Sequence, residues 1–183
     1  MAIGVLASGT GTILTALLDA ALPVSVVLVD RDCRALGLAA EAGIPARLVD
    51  RDTFGADFDR LEFTHRVVDA LQAAGIDLVV MAGFGTVLDK PLFEAFAGRV
   101  LNTHPALLPS FPGWHAVEQA LAAGVKVTGC TVHVATIDVD AGPILAQEAV
   151  PVLPGDTVES LHERIKAVER RLYPQTVKEF LQQ

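Results

Sequence analysis

The chain has 183 residues, 51% of them hydrophobic and 20% charged, enough for one ordinary hydrophobic core and unlike a disordered composition. A net charge of −8 argues against a partner held through its phosphate backbone. Two cysteines, Cys33 and Cys130, are too few and too far apart for a disulfide scaffold or a zinc knuckle, and read as small buried residues in a reducing compartment.

From the N-terminus, 2–7 (AIGVLA) reads as a strand. It carries no basic leader and is broken by Ser8-Gly9-Thr10-Gly11, so it does not read as a signal peptide. The turn SGTGTIL then opens a helix over 12–22. Its glycines let backbone N–H groups gather round an anion at a helix N-terminus. The P-loop lysine and the third glycine of a dinucleotide fingerprint are missing. Phosphate binding therefore competes evenly with a plain tight turn capped by Ser8 or Thr10.

Strands follow over 24–30, 46–49, 77–82 and 99–104, separated by helices over 33–43, 59–75 and 90–98. This alternation predicts an α/β fold with a doubly wound, mostly parallel sheet and helices on both faces. Past residue 105 the pattern changes to a proline-rich loop, a short helix over 115–124, and two strands over 125–136 and 142–152. The strands are joined by Ile137-Asp138-Val139-Asp140-Ala141-Gly142 and are expected to form an antiparallel addition. A long amphipathic helix over 157–181 closes the chain, with Pro174 as a point of kinking. No apolar stretch of about 18 residues is free of charges and breakers, so no membrane span is expected and cytoplasm is the default location. The chain reads as a single domain.

The sharpest chemical signal is Asn102-Thr103-His104-Pro105 at the end of a strand. Residues i and i+2 of a strand share a face, and Pro105 keeps His104 extended. An amide and an imidazole so placed can both donate to one developing oxyanion, and the imidazole can move a proton near neutral pH. The same pair could equally be satisfied polar groups anchoring the loop that follows. Asp140 is ordinary turn chemistry by itself, or a carboxylate that stabilises an imidazolium. His133 alternates with valines and can stand behind the same cleft. His104, His115, His133 and Asp140 lack tight ligand spacing, so no metal is expected. Neither a G-x-S-x-G elbow nor a nucleophile triad is present.

With these residues assembled, the chain resembles the glycinamide ribonucleotide transformylases (phosphoribosylglycinamide formyltransferases) of the formyltransferase family. The resemblance runs through VLASGTGTIL, DLVVMAGFGTVL, RVLNTHPALLPSFPGWHAVEQAL, KVTGCTVHVATIDVDAGPILAQ and DTVESLHERIKAVERRLYP, essentially the whole chain. It implies a Rossmann-like fold with a phosphate-binding half over 1–100 and a catalytic and folate-binding half over 101–183. It implies transfer of a formyl group from 10-formyltetrahydrofolate to the amine of glycinamide ribonucleotide, in purine synthesis, without a metal. Partners would be these small molecules, not nucleic acid or a membrane, with the enzyme a monomer or homodimer.

By the same resemblance Asn102, His104 and Asp140 are the catalytic trio. Gly9, Thr10, Gly11, Thr12 and Ile13 form the phosphate loop, serving mainly through main-chain amides. Glu169 holds the ribose hydroxyls, with Lys166 near the phosphate. Met81, Phe84, Gly85, Thr86, Val87 and Leu88 lie in the segment that recognises the pterin, with Val134 to Asp140 as its other wall and Arg60 near the folate tail. Residues 106–127 correspond to a mobile lid. Two departures stand out. Thr12-Ile13 replaces the usual Ser-Asn, and Gly85-Thr86 replaces the usual Met-Arg, which removes a side chain and is expected to loosen that backbone. Alternatives are a formyltetrahydrofolate hydrolase and a non-catalytic folate- or nucleotide-binding module. A methionyl-tRNA formyltransferase is disfavoured by the acidic balance and by the absence of sequence after the last helix.

Overall fold

Short apolar runs separated by helical segments can only return to the same end of a sheet, so they pair in parallel. The computed structural model describes residues 1–51, 53 and 55–183 and bears this out. The described elements fall into two compact units, Met1–Leu101 and Asn102–Gln183.

The first unit holds β1 (Ile3–Ala7), α1 (Thr12–Asp19), β2 (Val24–Val29), α2 (Arg34–Glu41), β3 (Ala46–Leu48), α3 (Arg60–Ala73), β4 (Leu78–Met81), α4 (Lys90–Ala95) and the start of β5 (Val100–His104). Its strands lie in the order β3-β2-β1-β4-β5, all parallel. Chain direction across the sheet reverses at β1, whose neighbours are β2 and β4. Right-handed crossovers then put α1 and α2 on one face and α3 and α4 on the other. In such a sheet ligands bind outside the carboxyl ends of the strands at the point of reversal. Here that point is flanked by Ser8–Gly11 after β1 and Ala82–Asp89 after β4. β1 is buried along its whole length, as a central strand covered on both faces must be.

The second unit contains the last three residues of β5, then α5 (Ala116–Ala122), β6 (Val127–Val134), β7 (Ile144–Pro151) and α6 (Val158–Phe180). β6 and β7 are antiparallel, from Val127 opposite Pro151 to His133 opposite Ile144, as the sequence led one to expect. Val117, Cys130, Val150, Leu161 and Ile165 form its core, drawn from α5, β6, β7 and α6. The hairpin turn can close tightly because Gly142 has no side chain, since a Cβ there would collide with the Val134 carbonyl oxygen. α6 starts with a capping box in which Thr157 and Ser160 satisfy each other's backbone N–H groups. It continues through Pro174, with Tyr173 and Val177 fully buried on either side. Among the described residues no helix is long and apolar enough to cross a membrane.

Candidate active site

Asn102 and His104 leave the end of β5 together and meet the 135–142 turn. His104 Nδ1 lies 3.2 Å from Asp140 Oδ2, and both side chains are 6% exposed. His104 Nε2 lies 2.7 Å from the carbonyl oxygen of Phe111 in the proline-rich loop. Both ring nitrogens therefore face acceptors, and only the doubly protonated ring donates to both. The Gly113 N–H donates to Asp140 Oδ2 at 2.8 Å, so the loop touches both members of the pair. Asp140 adopts φ of 55°, a left-handed conformation that Asp tolerates better than most residues.

His133 completes the cluster from β6. Its Nε2 lies 3.5 Å from Asn102 Nδ2 and 3.5 Å from Asp140 Oδ1, while its Nδ1 donates to the Val134 carbonyl at 3.2 Å. Asn102, His133, Asp140 and His104 thus form one connected polar set. Burial pushes the Asp140 carboxyl up, but hydrogen bonds from His133 and the Gly113 amide, with the charge of His104, outweigh it and hold it below the usual value. Asp140 is a carboxylate at neutral pH, buried beside an imidazole. Among the described residues no group of three or more His, Cys, Asp or Glu is arranged to hold a metal ion.

The other residues of interest in the second unit lie on α6 and β6. Glu169 is partly buried, and burial raises its carboxyl above the ordinary range. Lys166 pairs instead with Glu163, Nζ to Oε2 3.6 Å. Val134 ends β6 and is buried.

In the first unit the turn after β1 is capped by neither Ser8 nor Thr10. Gly11 occupies the N-cap position of α1 with φ of 73° and no side-chain cap. Ile13 is 6% exposed and belongs to the core, so only its main chain can serve a ligand. Ser8 does other work. Its Oγ accepts from the Gly85 N–H at 2.7 Å, joining the turns after β1 and β4.

Asp30, at the end of β2 and fully buried, is the centre of this arrangement. Arg31 donates to both of its oxygens at 3.0 Å, and Thr86 Oγ1 donates to Oδ2 at 2.7 Å. Arg51 Nη1 in turn donates to Thr86 Oγ1 at 3.3 Å. A Cβ at position 85 would come within 3.2 Å of Arg31 Nη2, so the glycine makes room for that guanidinium. The expectation of a loosened Gly85-Thr86 backbone is therefore corrected: Ser8 holds one residue and Asp30 the other. Met81 and Val87 are partly exposed, Leu88 is buried, and Phe84 stacks on Phe63 with ring centroids 6.5 Å apart. Arg60, at the start of α3, pairs with Asp89 at 3.0 Å.

The hydrogen bonds of Arg31, Thr86 and Ser8 outweigh the effect of burial and lower the Asp30 carboxyl below its usual value. Thr86→Val keeps the shape and removes one of these donors. It should cost about 1–3 kcal/mol in a urea titration at neutral pH, with little change in slope. Because the folded value is depressed, the stabilisation is present above the unfolded carboxylate value and is lost as pH falls through the folded one. The gap between wild type and variant should therefore narrow in acid.

Phe111, Gly113, Thr103, Asp30 and Arg31 were not singled out by sequence. Asp30 alone left a trace, as a charged residue closing the apolar run VSVVLVD.

The Formyl transferase family matches residues 1–177. The chain belongs to the formyl transferase family. A phosphoribosylglycinamide formyltransferase of Mycobacterium tuberculosis is 53% identical over 176 residues, covering 92% of this chain and 79% of the relative. Among solved structures, glycinamide ribonucleotide transformylase 1 from Symbiobacterium toebii is 47% identical with a TM-score of 0.89, over 97% of this chain and 85% of that one. Phosphoribosylglycinamide formyltransferase from Bacillus halodurans is 38% identical with a TM-score of 0.91, over 99% and 95%. The mostly parallel, Rossmann-like architecture expected from the alternation of strands and helices is thus that of a formyl transferase.

Proposed function

We propose that this formyl transferase moves the formyl group of 10-formyltetrahydrofolate, its co-substrate, to the amine of glycinamide ribonucleotide, a step of purine biosynthesis. The observation that carries the reading is His104 held between the buried Asp140 carboxylate and a carbonyl acceptor, in one network with Asn102.

Attack of the substrate amine on the formyl carbon turns the carbonyl oxygen into an oxyanion. His104 Nε2, which donates to the Phe111 carbonyl here, donates to that oxygen once the loop carbonyl gives way, and the Asn102 amide donates beside it. Donors placed in advance at a developing charge are worth roughly 3–4 kcal/mol each in a site shielded from water. Asp140 balances the charge of the imidazolium. It also passes the proton lost by the attacking amine, through water, to the folate nitrogen that leaves. No bond is made to the protein, in keeping with a site that has no nucleophile.

The remaining roles follow the same reading. Gly9, Thr10, Gly11, Thr12 and Ile13 present main-chain amides to the phosphate. Glu169 accepts from the ribose hydroxyls, and Lys166 adds positive charge on the same helix. Arg60, the Met81–Leu88 segment and Val134 serve the folate. The acidic net charge supports small-molecule partners over nucleic acid, and the reading takes the enzyme as a cytoplasmic monomer or homodimer.

The test is release of tetrahydrofolate with and without glycinamide ribonucleotide, with products weighed by mass spectrometry. Release should require the amine and yield formylated ribonucleotide. Release without the amine would make the protein a hydrolase, and none in either tube would overturn the enzymatic reading.

A further inference from the structure

The loop that leaves β5 begins with a firmly held root. Thr131 on β6 and Gln147 on β7 stand opposite each other in the antiparallel pair. The buried Thr131 hydroxyl donates to the Ala106 carbonyl at 2.6 Å and accepts from the Leu108 N–H at 3.1 Å. The Gln147 amide donates to the same hydroxyl at 3.0 Å and to the Leu108 carbonyl at 2.8 Å. A hydroxyl has one proton to give and two places to accept, so Thr131 is saturated. Leu108, itself buried, has both backbone groups held by side chains of the β6–β7 pair. The tip of the loop is different. Phe111, Gly113 and His115 have φ of 55°, 80° and 63°. A phenylalanine has no local reason to enter the left-handed region, so this path persists only where its surroundings fix it. Two contacts that fix it are those of the Phe111 carbonyl with His104 and of the Gly113 N–H with Asp140. Only Pro109 and Ser110 separate Leu108 from Phe111, and the Ser110 N–H is bonded back to the Leu107 carbonyl at 3.0 Å. A displacement of Leu108 is therefore carried to the Phe111 carbonyl.

We propose that Thr131 and Gln147 are positioning residues for formyl transfer: by clamping Leu108 they set where the loop tip meets His104 and Asp140. This rests on the reading of His104 and Asp140 as the groups that serve the transition state. Both positioning residues act through the loop backbone and not on a reacting atom. The Phe111 carbonyl has to leave His104 and return in each turnover, and a fixed root brings the tip back to one place. A tip that returned to several places would leave His104 and Asp140 to be ordered afresh each time, which costs rate and not substrate affinity.

Steady-state kinetics and the fluorescence anisotropy of Trp114 test the proposal together. Trp114 is the single tryptophan of the chain, stands at the loop tip and is 67% exposed. Its anisotropy in the free protein therefore follows the mobility of the tip without reference to activity. Thr131→Val keeps the shape of the side chain and removes every bond its hydroxyl makes. It should lower kcat about ten- to a hundredfold, leave KM for both substrates within about twofold, and lower the anisotropy. Thr131→Ser, which restores the hydroxyl, should return kcat to within about threefold of wild type and restore the anisotropy. Gln147 is exposed, so Gln147→Met disturbs no core and decides the matter even where Thr131→Val does not fold. It should lower kcat about threefold and lower the anisotropy as well. A fall in kcat without a fall in anisotropy, or the reverse, would overturn the positioning role. So would losses that fall equally on kcat and both KM values, that Thr131→Ser does not rescue, or that are absent from both Thr131→Val and Gln147→Met. Wild-type protein that released no tetrahydrofolate with the amine present would overturn the formyl-transfer reading itself, before any variant is compared.

Discussion

Asp140→Asn is expected to lower kcat at neutral pH by about a hundred- to ten-thousand-fold, the range commonly lost with a positioned acid–base group. Asn has the shape of Asp and can still accept from the Gly113 N–H, so the turn should survive. The charge does not. In the native site both nitrogens of His104 face acceptors, and one of these is the carboxylate 3.2 Å away. The amide oxygen that keeps the Gly113 contact occupies the same position beside Nδ1 but carries no charge to balance an imidazolium. A neutral ring is the weaker donor to an oxyanion, and an amide cannot carry the amine's proton. The stability effect has a pH dependence of its own. Asp140 is held below the ordinary carboxylate value, so its contribution to stability exists above the unfolded value and vanishes as pH falls through the folded one. Unfolding midpoints of wild type and variant should therefore converge in acid while their turnover at neutral pH stays far apart. Turnover within about tenfold of wild type would remove Asp140 from proton transfer.

The architecture was legible because its signals are periodic. Val/Leu runs marked the parallel strands, and the change of pattern after Pro105 marked the antiparallel pair. Side-chain chemistry was legible where spacing constrains it: Asn102 and His104 had to share a face, and a carboxylate in the turn after 135 was a natural partner. What escaped was set by the backbone or by tertiary neighbours. A carbonyl such as that of Phe111 is invisible in a residue pattern, yet it is what His104 Nε2 meets. Thr103 drew no reading between two interesting residues, although a strand turns its middle member to an environment of its own. Gly85-Thr86 read as slack because its local sequence is permissive. The constraint comes from Asp30, 56 residues from Thr86 in the chain. The cap of α1 was misjudged because the left-handed Gly11 takes the position that Ser8 or Thr10 would need. Pro174 does not end α6, which runs on past it, where the buried side chains on either side carry the helix through one missing hydrogen bond.

Asn102→Ala should lower kcat by about a hundred- to a thousand-fold with little change in either KM, as expected for a donor that acts on the oxyanion and not on the ground state. Asn102 is only partly buried and its side chain reaches His133 at 3.5 Å, so its removal should leave the unfolding midpoint nearly unchanged. The more searching test is the double variant with Asp140→Asn. His133 stands 3.5 Å from both side chains, so the amide and the carboxylate belong to one network and serve one transition state. Groups that act as a unit do not lose their contributions twice. The double variant should therefore fall little below Asp140→Asn alone, because a site with a neutral His104 has already forfeited most of what Asn102 assists. If the two losses multiply instead, Asn102 stabilises the oxyanion independently of the imidazolium. His133 would then be a neighbour of both groups without coupling them, and the two donors would have to be treated as separate contributions to the same step.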